Sequence, residues 1–314
     1  MQSRIRLDGI DPASFQHPYD RQAVAQLAKL RGFDMVTRKF LEYGFERLQY
    51  VLNIASAIRV NANQMPGLHA MLVECCAVLD VSEPELYVAE GSVNAFTAGA
   101  TRPFIVLQTG LINAFTDEEV MAVLAHEVGH IKCGHVLYKS MAQVVSAAGE
   151  FLGEFTLGIG ALLAKPIEIA LRNWDRRSEL SADRAALLVM QEPHTCMRVL
   201  MKLAGGAGRL ESQLSLDEFM NQVHAYTDGL ERSTGDRIYR LMAGMYRGSN
   251  PFTIERAHAL SEWASGIEYR QILNGQYTRL GESADRVDKC QRCRAAVLPI
   301  HQFCAGCGQA LRAA

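Results

Sequence analysis

Long apolar runs are missing where a secreted or membrane-spanning protein would need them. The chain begins Met1-Gln2-Ser3-Arg4-Ile5-Arg6 and reaches Asp8 and Asp11 without an apolar stretch, so no signal peptide is expected. Residues 140–171 are apolar, yet Glu150, Glu154, Lys165 and Glu168 interrupt them, and their longest uncharged runs are ten residues each, 140–149 and 155–164. A span needs about 20 apolar residues, so no transmembrane helix is expected. The simplest expectation for this segment is a helical hairpin packed on the protein or at a subunit contact. A mobile lid or a membrane-surface segment is the competing reading, because Gly153, Gly158 and Gly160 loosen a helix. A cytoplasmic protein is expected, with a peripheral membrane contact and a homo-oligomer both left open.

Charge of one sign is missing too. Thirty-two basic and 34 acidic side chains give a net charge of −2, so nothing electrostatic draws the chain to nucleic acid, and no nucleic-acid partner is expected. A disulfide framework is also absent: Cys75, Cys76, Cys133 and Cys196 show none of the spacings of a stapled secreted domain. No internal repeat or low-complexity segment is visible. With 314 residues, 49% hydrophobic and 21% charged, the chain can bury one sizeable core and carry a small appended unit.

Chemistry is concentrated at His126-Glu127-Val128-Gly129-His130. Two histidines four positions apart share one face of a helix, so both imidazoles can reach one metal ion, with the glutamate beside the ion's open position. The helix has its own start signal in Thr116-Asp117-Glu118-Glu119, an N-cap hydroxyl with a glutamate three residues on and acids in the first turn. Val120, Val123, Leu124, Val128 and Ile131 then mark an apolar face. A catalytic zinc takes three protein ligands and keeps one position open for water, so a third ligand has to come from elsewhere.

Position 133 is Cys and position 136 is Val, where a third-histidine motif would need Gly and His. His135, five residues after His130, points to another side of a continuing helix and is expected to be solvated. The segment Arg177 to Ala186 offers Glu179 and Asp183 one helical turn apart. One carboxylate can bind the metal while the other accepts a hydrogen bond from a ligating histidine.

At these residues the sequence resembles the HtpX and CAAX-prenyl endopeptidase group of zinc peptidases, family forty-eight of the metallopeptidases, which are gluzincins with an HExxH and an ExxxD helix. Val93-Asn94-Ala95-Phe96-Thr97-Ala98-Gly99 is similar to that family's Asn-Ala-Phe edge strand, and Ile105 to Leu111 to the strand and turn before the metal-binding helix. The resemblance implies that His126, His130 and Glu179 are zinc ligands, Glu127 is the general base and Asp183 supports a ligating histidine. It also implies that Asn94, Ala95 and Phe96 bind the substrate backbone, as an exposed strand can do by strand addition. The family's His-Pro-Pro segment, with Arg six residues after the His, corresponds here to Asn250-Pro251-Phe252 with Arg256. Asn250 can donate a hydrogen bond to a developing oxyanion but cannot carry charge. His258 is expected to be structural.

The expected activity is a zinc-dependent endopeptidase acting on unfolded or exposed polypeptide, in protein quality control as the resemblance implies, with Glu127 taking a proton from the attacking water at the zinc. The rival reading is a latent or inactive metallopeptidase-fold protein that acts as a binding or scaffold module.

Cys290, Cys293, Cys304 and Cys307 form two CxxC knuckles ten residues apart. Four thiolates make a closed structural site, so a second, structural zinc in a C-terminal ribbon is expected, with iron as the lesser alternative for the same ligands. The expected organisation is a metallopeptidase domain over 1–284 and a zinc ribbon over 285–314. The fold class is α+β and mostly helical, with a small β-meander between about 85 and 110. Helices over 17–79 and 191–280 are punctuated at Gly32, Gly44, Pro66-Gly67, Pro193, Gly205-Gly206 and Asn250-Pro251.

Overall fold

The computed structural model describes residues 4–27, 50–51, 55–99, 102–142, 159–206, 208–232 and 253–280, with isolated positions 37 and 292. Asn250, the four ribbon cysteines, the 285–314 unit apart from position 292, and residues 143–158 of the apolar insert therefore lie outside the described residues.

The frame is two long helices crossed by shorter ones. Helix α1 spans Pro18–Leu27, strand β1 Ile58–Val60 and helix α2 Pro66–Leu79, with proline in its first turn as the sequence breaks predict. Strands β2 (Glu85–Ala89), β3 (Ala95–Ala98) and β4 (Phe104–Gln108) follow, then helices α3 (Thr109–Ala114), α4 (Asp117–Lys132) and α5 (Ile159–Met190). The chain continues through α6 (Pro193–Met201), α7 (Leu216–Arg232), α8 (Thr253–Ser265) and α9 (Ile267–Leu273). It is a mostly helical α+β fold, as expected. Residues 159–171, read from sequence as part of a hairpin, are the first turns of α5, continuous with the carboxylate-bearing segment.

The sheet order is β1-β2-β4-β3, with β2 and β4 parallel and both outer pairs antiparallel. Strands do form between about 85 and 110 as expected, but they do not connect as a meander. Strand β3 leaves β2 and pairs with the far side of β4, from Ala95 opposite Leu107 to Ala98 opposite Phe104. Alternation alone cannot reveal that order, since each of these strands is short and largely buried. The consequence is that, among the described residues, β3 pairs on one side only and lies at the sheet edge, close to α4.

The capping box predicted for α4 is formed, with the Thr116 side chain accepting from the Glu119 backbone and the Glu119 carboxylate accepting from the Thr116 N–H at 2.9 Å. Glu119 is almost wholly buried, and so is its partner Lys202, whose Nζ donates to Oε2 at 2.6 Å. Burial would raise the Glu119 pKa, but hydrogen bonds from Lys202, Thr116 and Arg198 outweigh it and hold the carboxyl below its ordinary range. A depressed carboxyl stabilises the fold fully above its unfolded pKa of about 4.3 and loses that contribution as pH falls through the native value. Lys202→Met leaves the charge buried without its main partner. It should cost about 3–5 kcal/mol at neutral pH, with the gap to wild type narrowing in acid, as chemical denaturation across pH would show.

One core packs α2, α4, α5, α6 and α8 with one face of the sheet around Leu79, Leu107, Leu124, Val128 and Leu187. A second cluster joins α1, through Ala23, Val24 and Leu27, to Leu137, Tyr138, Met141, Ile167, Leu171 and Trp174. The N-terminal segment is tied in independently: Asp11 N donates to Thr278 O, Leu7 N to Val78 O, and Gln191 brackets Ile5 on both backbone groups.

Candidate active site

Helices α4 and α5 meet across Gly129. A Cβ built there would lie 2.5 Å from the Ala185 Cβ and 3.3 Å from the Ala182 Cα, so the two helices touch backbone to backbone at this point. That contact brings the two sequence motifs together. His126, His130 and Glu179 offer ligand atoms that all lie within 4.8 Å of one another, with His126 Nε2 3.2 Å from Glu179 Oε2 and His130 Nε2 3.3 Å from Glu179 Oε1.

The donor set fits a catalytic zinc. Both histidines turn Nε2 to the shared point, and the other ring nitrogen of each is occupied: His126 Nδ1 lies 3.0 Å from Asp183 Oδ1, and His130 Nδ1 lies 2.9 Å from His135 Nδ1. Two imidazoles and one carboxylate, each supported from behind, are the ligand count of an open catalytic site. Burial would lower the His126 pKa, but the Asp183 and Glu179 carboxylates raise it to about 9, so a metal ion has to displace a proton there.

Cations surround these carboxylates. Arg256 on α8 grips Asp183 through Nε at 2.8 Å and Nη2 at 2.6 Å, and its Nη1 lies 3.4 Å from Glu179 Oε2. Arg256, expected from sequence to touch substrate or the oxyanion, thus stands at the site with its donors turned to the two helix carboxylates. Lys139, which the sequence reading did not single out, donates to Glu179 Oε1 at 2.7 Å and Asp175 Oδ1 at 3.0 Å. Burial would raise Glu179, yet Lys139 and the two histidines hold its carboxyl well below the usual range, so it presents an anion.

Glu127 points toward the sheet and is 6% exposed. Thr97 on β3 donates to Glu127 Oε2 at 2.6 Å and reaches the Glu127 carbonyl at 3.3 Å, so the edge strand is fastened to the glutamate of the motif. Asn94 is exposed just before β3, its carbonyl accepting from Gln108 N at 3.0 Å, while Ala95 and Phe96 are half-buried on the strand. Burial raises the Glu127 pKa, and the His126 and Lys139 charges with the Thr97 hydroxyl only partly counter it. Thr97→Val removes one bond that favours the charged form. The acid limb of a pH–rate profile should therefore move to higher pH, with a loss of roughly threefold to tenfold at neutral pH.

The expectation of a solvated His135 is wrong: the residue is 1% exposed. Helix α4 ends at Lys132, and Gly134 takes φ +69°, returning Gly134 N to Ile131 O and His135 N to His130 O. This paired closure turns the chain back on the helix, so His135 no longer follows the helical wheel. Gly134 was the signal that could have predicted it. His135 Nε2 lies 2.8 Å from Asp20 Oδ2 on α1. His258 Nε2 lies 3.5 Å from Glu262 Oε2 on its own helix.

Among the described residues no helix is long and apolar enough to cross a membrane. Cys75, Cys76, Cys133 and Cys196 are free and buried. Comparison with known proteins gives the sequence model of Peptidase family M48 a match over residues 62–264. The plastoglobule-localized metallopeptidase 48, chloroplastic, of Arabidopsis thaliana is 35% identical over 268 residues, covering 84% of this chain and 76% of that protein. A protease HtpX homolog 2 of Methanosarcina acetivorans is 27% identical over 186 residues, covering 52% of this chain and 63% of that protein, and a protease HtpX homolog of Persephonella marina is 26% identical over 205 residues, covering 57% and 70%. The chain thus spans somewhat less than two thirds of the Methanosarcina relative. A helix pair that assembles two histidines and a glutamate, inside a match covering most of the described fold, places this chain in peptidase family M48, the zinc metallopeptidases of the HtpX type.

Proposed function

We propose that the protein is an endopeptidase that cuts extended segments of unfolded or exposed polypeptide, with Glu127 as general base and His126, His130 and Glu179 as the zinc ligands. The observation that carries this reading is the bond from Thr97 to Glu127, because it sets the edge of the sheet beside the base. A peptide added along β3 would satisfy its backbone on the strand and pass Glu127 with little regard to side-chain identity, which suits unfolded substrates. Asn94, Ala95 and Phe96 would line that track.

Zinc held by the three ligands would supply Lewis-acid polarisation and a more acidic water. The chain's own residues do the rest. Glu127, buried and raised, takes a proton from the attacking water and delivers it to the leaving amine. Asp183, itself gripped by Arg256, holds His126, and the resemblance assigns Asn250 and Arg256 a part in stabilising the oxyanion, Asn250 as a neutral hydrogen-bond donor. The C-terminal cysteines 290, 293, 304 and 307 would hold a second, structural zinc in a domain of their own over 285–314, after a peptidase domain over 1–284. Protein quality control, a cytoplasmic setting and at most a peripheral membrane contact complete the proposal; the Arabidopsis relative is named for chloroplast plastoglobules.

Metal analysis with a cleavage assay on denatured casein tests the reading. Two zinc ions per chain, one lost on deleting residues 285–314, and cleavage that stops on chelation and returns with zinc, are the expected results. Full zinc loading without cleavage of any unfolded substrate would favour the scaffold reading instead.

A further inference from the structure

Resting on the ligand assignment above, we propose that Asp20, acting through His135, sets the tautomer and orientation of His130, so that helix α1 is a working part of the metal centre. The family match begins at residue 62, well after α1, so it does not reach Asp20.

The argument follows donors and acceptors along one buried chain. Asp20 is fully buried, and every polar group facing it can donate: Trp174 Nε1 at 3.0 Å on Oδ1, and Ser181 Oγ at 2.7 Å, Gln16 Nε2 at 2.9 Å and His135 Nε2 at 2.8 Å on Oδ2. A carboxylate only accepts, so the proton between it and His135 sits on His135 Nε2. The Nδ1 of a neutral His135 is then a lone pair, and it faces His130 Nδ1 at 2.9 Å. Of two facing ring nitrogens one must donate, so His130 carries its proton on Nδ1. That leaves His130 Nε2 as a lone pair aimed at the point it shares with Glu179 and His126, the form that binds a metal. The ring is also held sterically, with His135 stacked edge-on between His130 and Trp174 at centroid separations of 5.2 and 5.5 Å.

Asp20→Asn reverses this polarity without changing shape. The Trp174 indole can only donate, so it retains the Asn oxygen at the Oδ1 position and turns the new NH2 toward His135 Nε2. His135 must then accept there and carry its proton on Nδ1. That proton points at His130 Nδ1, and His130 moves its own proton to Nε2, where the metal should bind. His135→Leu removes the contact altogether. His135→Gln preserves it, because the amide oxygen can accept from His130 and the amide nitrogen can donate to Asp20.

The test is cobalt(II) and zinc binding to the full chain by chelator competition, with the d–d absorption of cobalt reporting the His/His/Glu site. Sulfur-to-metal charge transfer marks any ion at the C-terminal cysteines separately. Asp20→Asn and His135→Leu should bind about 10- to 100-fold more weakly at the His/His/Glu site, with altered d–d bands, while His135→Gln stays within about threefold of wild type. Trp174→Phe leaves the polarity of the chain intact and should bind as His135→Gln does. In case a variant does not fold, imidazole nitrogen NMR of the chelator-treated wild type gives a direct answer: His135 protonated at Nε2 and His130 at Nδ1. Wild-type affinity in Asp20→Asn and His135→Leu, or a His135 proton found on Nδ1, overturns the proposal. A wild-type chain that binds no metal at this site would overturn the ligand assignment and this inference with it.

Discussion

Glu127→Gln is expected to keep its zinc and lose about 10²- to 10⁴-fold in kcat on an unfolded substrate, the range that a positioned general base supplies. The substitution is close to isosteric, and Thr97 can still donate to the amide oxygen, so the fastening of β3 to α4 persists. The amide cannot take a proton. His126, His130 and Glu179 are untouched, which is why metal content should stay at the wild-type value while turnover collapses. KM should change little, since the peptide track on β3 remains. Intact cleavage in a zinc-loaded Gln variant would assign the base elsewhere, and the first place to look would be the carboxylate of Asp175, which Lys139 holds near the ligands.

The parts of the site that were legible in the sequence are those whose geometry is local. Thr116 and Glu119 announce the helix start because capping is a four-residue event, and the structure forms that box. His126 and His130, like Glu179 and Asp183, declare a shared face through one helical turn, a relation that any regular helix enforces. Periodicity says nothing about how two helices meet or which strand pairs with which. The parallel pairing of β2 with β4 depends on a crossover, and the position of Thr97 over Glu127 depends on that pairing. Lys139 and Asp20 were illegible for the same reason: each is a single charged residue whose meaning is a partner brought up by tertiary packing. His135 was misread for a local reason, since extending the helix through Gly134 ignored a residue that can end it by taking positive φ.

The same contrast between local and tertiary reasoning decides what Gly129→Ala should do. By helix propensity alone, replacing a mid-helix glycine with alanine stabilises by about 1 kcal/mol. The packing predicts the reverse sign. With the new Cβ 2.5 Å from Ala185 Cβ and 3.3 Å from Ala182 Cα, neither neighbour can rotate away, because one is a bare methyl and the other is backbone. The helices have to part by something on the order of 1 Å, and overpacking of this kind costs about 1–3 kcal/mol. Metal affinity should suffer more than stability does. A bound ion tolerates deviations of only about 0.2 Å in its ligand distances, and parting α4 from α5 carries both histidines away from Glu179 together. The expected outcome is a lower melting temperature, with zinc affinity down by roughly a hundredfold. Ala185→Gly opens the space that the new methyl needs, so the double variant should regain most of the metal affinity, although the added glycine keeps its stability below wild type. A coupling above about 1 kcal/mol between the two positions, measured on zinc binding in a double-mutant cycle, would confirm that the helix contact sets the metal geometry. An unchanged or raised stability in Gly129→Ala, with wild-type zinc affinity, would mean that the two helices carry their ligands independently of this contact.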